Sequence, residues 1–111
     1  MENIKLAEKL NLEFFNRGES KEVTCGYCGD LLSWVMGRAE NGCIWMTVMN
    51  NNNVAAVAVL RDVSCIVLTE GVKPDNNLLE RARLEGLTLC GTDKDSFSLS
   101  AEISCILKSE A

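Results

Sequence analysis

Apolar residues along this chain follow two alternating patterns, one spaced as on the face of a helix and the other unbroken. The first marks amphipathic helices, and the second marks strands buried on both faces. Residues 3–10 carry Ile4, Leu6, Ala7 and Leu10 near one face, which predicts a short helix. "LEFFN" (12–16) predicts an edge strand, ended by the polar turn "NRGES". "EVTCGYC" (22–28) predicts a second strand that runs into Gly29 and Asp30. Leu31, Leu32, Val35, Met36 and Ala39 then recur at helical spacing, with Asp30 as the expected N-cap.

The alternation continues to the end of the chain. Residues 43–49, "CIWMTVM", are apolar on both faces, as a buried parallel strand requires. The asparagine run turns the chain, Asn52 or Asn53 is the expected cap, and 54–61 reads as an Ala/Val helix. Residues 64–70 form another buried strand, after which Pro74 and Asp75 open a helix carrying Leu78, Leu79 and Ala82 that Gly86 stops. "LTLCGT" (87–92) is the last strand. Thr92-x-x-Asp95 resembles a capping box for a helix over 95–108, with Phe97, Ala101, Ile103 and Leu107 facing inward. Successive strand–helix–strand units with short connections predict an α/β fold. The expected architecture is a three-layer sandwich, a mostly parallel sheet of four or five strands with helices on both faces. The whole of 1–111 reads as a single domain.

Charge and composition narrow the partners. The chain has 111 residues, is 47% hydrophobic and 24% charged, and has a net charge of -5. That balance is globular, and it lacks the basic face that nucleic acid or an anionic membrane would demand. The longest uncharged apolar run, Val54–Leu60, is far shorter than the roughly 20 residues of a membrane span. The N-terminus "MENIKLAEKL" carries Glu2 and Glu8 and has no continuous apolar stretch, so a signal peptide is not expected. A cytoplasmic protein follows.

Cys25-x-x-Cys28 is the one cysteine pair spaced like a metal or redox site among the six cysteines. On a strand, residues three apart point to opposite faces, so the two thiols should diverge. Thioredoxin-type pairs sit at a strand-to-helix junction with the first cysteine at the helix N-terminus, and Cys25 lies too early for that. The chain has no histidine and no second CxxC, so no Cys/His zinc set is available. Most cysteines lie in apolar runs and read as small core residues. No cofactor or metal is expected. The alternative is a small redox or iron–sulfur protein using Cys25 and Cys28.

Signatures of the common enzyme classes are missing: there is no phosphate-binding Gly-x-x-x-x-Gly-Lys loop, no Gly-x-Ser-x-Gly elbow, and no histidine to act as base. In sheets of the predicted kind, ligands sit beyond the carboxyl ends of the strands, where helix N-termini also point. That edge brings together Gly29, Asp30, Ser33, Thr47, Asn53, Thr69, Gly71 and Thr92 as candidate ligand contacts. All are small and polar, suited to an anionic or polar small molecule.

The stretch Gly26-Tyr27-x-Gly29-Asp30-Leu31-Leu32-Ser33, followed by Val35-Met36, resembles the DRTGG domain family. Asn53-Val54-x-x-Val57-Ala58 and Leu68-Thr69-x-Gly71 continue the likeness, which covers roughly residues 20–108. Such domains are similar to the N-terminal domain of HPr kinase/phosphorylase. They occur between CBS domains in some family II pyrophosphatases, inside long phosphotransacetylases, and as stand-alone proteins. The resemblance implies a non-catalytic regulatory or scaffolding role and dimerisation, but no particular ligand; a nucleotide is the first expectation, from the company of the pyrophosphatases. It also admits a structural partner domain for a larger metabolic enzyme. Where the family usually reads Thr-Gly-Gly, this chain has Thr69-Glu70-Gly71, an acidic side chain that a phosphate would avoid. A homodimer is expected on a second ground. Val54, Val57, Val59 and Leu60 do not fit one stripe of the 54–61 helix, and an all-round apolar helix must be buried on more than one side.

Overall fold

A computed structural model describes residues 1–110. The chain forms α1 (Asn3–Lys9), β1 (Glu13–Asn16), β2 (Cys25–Cys28), α2 (Leu32–Arg38), β3 (Cys43–Thr47), α3 (Asn52–Arg61), β4 (Cys65–Leu68), α4 (Asn76–Glu85), β5 (Leu89–Gly91) and α5 (Ser96–Ser109). The five strands make one sheet in the order β1-β5-β4-β3-β2. β2, β3, β4 and β5 pair in parallel, and β1 joins β5 antiparallel. This is the expected mostly parallel α/β sandwich. No helix among the described residues is long and apolar enough to cross a membrane.

The alternation of side chains along each strand builds two cores. Trp45 of β3, Ile66 and Leu68 of β4 and Leu89 of β5 point to one face, where α2, α3 and α4 pack through Val35, Val54, Val57, Ala58, Leu78 and Ala82. Ile44 and Met46, Cys65 and Val67, and Cys90 point to the other, against Leu6, Ala7 and Leu10 of α1 and Leu99 and Ile103 of α5. Every residue of β3 and β4 is buried, which is why those runs read as unbroken apolar sequence.

Helix ends depart from expectation in three places. α3 is capped by Asn51, whose side chain accepts from the Asn53 N–H, rather than by Asn52 or Asn53. α5 is capped by Asp95, accepting from Ser98, so Thr92 is not the first half of a capping box. Its sheet-facing stripe is Leu99, Ile103, Ile106 and Leu107. Phe97 and Ala101 lie on the opposite side of the helix and are exposed, because two residues along a helix is over half a turn. The third departure is Asp30. The cap position of α2 is Leu31, with no side-chain cap hydrogen bond, and the Asp30 carboxylate is used elsewhere.

Candidate functional site

Asp30 leaves β2 and reaches across to the next strand. Its Oδ1 accepts from Thr47 Oγ1 at 2.8 Å and from the Val48 N–H at 2.9 Å. Thr47 Oγ1 in turn accepts from the Met49 N–H at 3.1 Å. The Gly29 carbonyl accepts the buried indole N–H of Trp45 at 2.9 Å, which satisfies an otherwise stranded donor. Together these bonds latch the end of β2 to the end of β3.

A second latch joins β4 to the last helix. Thr69, fully buried, shares a hydrogen bond with Ser96 in the first turn of α5 (Oγ1···Oγ 2.8 Å). The Gly71 N–H donates to the Thr92 carbonyl (2.9 Å) and the Glu70 N–H to that of Lys94 (2.9 Å), while Thr92 Oγ1 accepts from Lys94. The backbone turns here through two left-handed residues, Glu70 at φ +61° and Gly71 at φ +75°.

The eight predicted residues therefore divide, with Gly71 in the left-handed turn just described. Thr47 and Thr69 are buried and committed to internal hydrogen bonds. Gly29 and Asp30 border a groove of 360 Å³ beside α2, and Thr92 borders a separate depression of 290 Å³ beside β1. Ser33 and Asn53 stand exposed in the first turns of α2 and α3. What was expected as one crevice is a latched edge, with Asp30, Ser33 and Asn53 each exposed along it.

Sequence reasoning missed the aromatic wall of the first groove. Tyr27 lines it with Trp34, and the guanidinium of Arg38 lies 4.0 Å over the Trp34 ring. The signal was present: Trp34 and Arg38 are four residues apart, neighbours on a helix surface. It also missed a groove of 410 Å³ on the other face of β2, between Gly26 and Met46 on the sheet and Ser100, Ile103 and Leu107 on α5.

The cysteines diverge as their spacing on a strand requires. Cys25 packs beside Tyr27 against the α2–α4 core, while Cys28 lies on the other face, its Sγ 3.8 Å from Met46 Sδ. Burial and the Asp30 charge push the Cys28 thiol up, opposed by a hydrogen bond with Ser100. Burial pushes Cys43 up to about 12, and the contact with Cys90 followed by burial raises Cys65. Raised thiols are poor thiolates, the reverse of an activated redox cysteine. No three Cys, Asp or Glu side chains among the described residues are placed to hold a metal ion.

Comparison with known proteins finds a family and a similar fold. A family model described as the DRTGG domain matches residues 5–106. The fold is similar to that of the CBS and DRTGG domains of the regulatory region of Clostridium perfringens pyrophosphatase, solved in complex with its activator, diadenosine tetraphosphate. The TM-score is 0.72 at 20% identity, over 88% of this chain and 44% of that one. This chain thus spans less than half of that solved region, and the likeness speaks for the fold. No curated protein matches.

Proposed function

The chain belongs to the DRTGG domain family, and from that premise we propose that it is a regulatory, ligand-sensing module without catalytic activity of its own, working as a homodimer. The observation that carries this reading is the family match over nearly the whole chain, joined to a fold like that of a regulatory region. The arrangement of polar groups supports it. At the carboxyl edge of the sheet the hydroxyls and carboxylate hold loops together, and a ligand that altered one latch would be felt by β3, β4 and the first turn of α5.

The ligand class is a nucleotide or a similar small anion. The pyrophosphatase region with the similar fold takes a dinucleoside polyphosphate, and the carboxyl edge here offers the hydroxyl of Ser33 and the amide of Asn53, both exposed. Trp34 and Tyr27 in the adjoining groove supply aromatic surface suited to a base.

A thermal-shift screen of nucleotides and acyl phosphates tests the reading. A ligand at about 100 times its dissociation constant adds about 2.7 kcal/mol of stability. The stabilisation is expected to disappear in Asn53→Ala, whose side chain is exposed and whose loss leaves the fold intact, and in Asp30→Ala. Stabilisation undiminished in both would move the site off this edge. No shift from any compound would remove the ligand-sensing role.

A further inference from the structure

The two edges of the sheet are built differently. β1 is guarded: its register breaks between Phe14 and Asn16, Lys73 pairs with Glu13 at 3.0 Å, and Arg17 lies 4.0 Å over Phe14. Irregular register and edge charges are what keep a strand from pairing with another chain. β2 has neither. Its residues, Cys25–Cys28, carry no charge and pair on one side only, with β3. Apolar grooves flank it on both faces, and Leu31 and Trp34 beside it are 60% and 54% exposed. Other exposed apolar residues, such as Leu60, Leu84 and Phe97, lie on helices and border no open strand.

Two charged side chains flank this edge. Arg38 and Asp30 border the same groove, and neither forms an ion pair with a described residue. As the return arm of a β–α–β crossover, α2 runs back along β2, which sets Arg38 toward the start of the strand and Asp30 beyond its end. A two-fold axis across β2 turns a second copy end for end, so each Arg38 is brought toward the Asp30 of the other. The patch is then self-complementary in charge, as an isologous contact requires.

We propose that the β2 edge, with the grooves against α2 and α5, is the surface on which two copies of this chain associate, their β2 strands antiparallel about a two-fold axis. This rests on the homodimer reading above and names its surface. Association completes the open side of the ladder and closes the grooves on both faces of the strand.

Sedimentation equilibrium or light scattering over micromolar concentrations is the test. Arg38→Asp sets carboxylates face to face at both contacts, and Asp30→Lys sets cations face to face; each is expected to weaken association about tenfold or more. Mixing the two variants makes both contacts attractive again and is expected to restore the dimer. Because Asp30→Lys also cuts the latch to Thr47, a second variant, Gly26→Asp, stands beside it. A Cβ at Gly26 meets nothing nearer than 3.7 Å, the side chains of Ile44 and Met46, so this change sets a charge in the α5 groove that a partner copy closes, without crowding the core, and a folded monomer is expected. A dimer indifferent to both Arg38→Asp and Gly26→Asp overturns this surface while leaving the homodimer standing. A monomeric native chain at every concentration overturns both.

Discussion

Glu70 holds a backbone conformation that suits glycine better than any side chain. Its φ of +61° lies in the left-handed region, where a Cβ costs about 1–2 kcal/mol, and its side chain is exposed. Replacing it by glycine removes that strain at the expense of a more flexible unfolded chain, worth about 0.5–1 kcal/mol the other way. Glu70→Gly is therefore expected to stabilise the fold by up to about 1 kcal/mol in urea denaturation; a loss of stability would show that the Glu70 side chain is doing more than the turn requires. The sequence pattern had already marked this position, since Thr69-Glu70-Gly71 departs from the family's Thr-Gly-Gly at this residue. Asp30 teaches the converse. An aspartate before an apolar helical run is good grounds for a cap, and nothing local reveals that its acceptors will be claimed by a hydroxyl and an N–H seventeen and eighteen residues on.

At the level of elements, α3 shows how far an all-apolar pattern can be trusted. Val54, Ala55, Val57 and Ala58 are buried between the sheet and the neighbouring helices α2 and α4, which close over more of α3 than its composition suggested. Only Val59 and Leu60 remain outside, at 40% and 70% exposure. Val57→Lys is accordingly expected to cost about 3 kcal/mol or more by burying a charge, and Val59→Lys no more than about 0.5 kcal/mol. Melting curves of the two variants separate the cases, and similar losses for both would mean that Val59 is covered in solution. Strands were the most legible elements, because burial on both faces leaves an apolar run with no polar positions. The stripe of α5 was misread because Phe97 is large and apolar yet belongs to the outward side, and size does not tell which way a helix is turned.

Across the whole molecule, one buried side chain, Asn3, ties distant segments together. Buried at 1% exposure, its amide donates to the Ser64 carbonyl (2.7 Å), the Glu19 carbonyl (2.9 Å) and Thr88 Oγ1 (3.2 Å), and its Oδ1 accepts from the N–H groups of Ile4 and Lys21. One side chain thereby fixes α1 to the starts of β4 and β5. Asn3→Ala leaves those buried groups without partners and is expected to cost about 3 kcal/mol, measured by chemical denaturation; a cost below about 1 kcal/mol would show that water replaces the side chain. The mostly parallel sheet and the two-sided helix cover could be read from the chain, but not which polar residues at the strand ends serve as latches, because latches and ligand contacts use the same residue types and only contacts distinguish the two. The unequal edges of the sheet have one more consequence. A strand layer open at both ends can go on adding copies without limit. A layer open at β2 alone behaves like a polymer unit with a single reactive end: the first coupling consumes it. Under the β2 pairing proposed above, raising the concentration fills pairs and lengthens nothing, because the other end is guarded by its broken register and its Lys73–Glu13 pair.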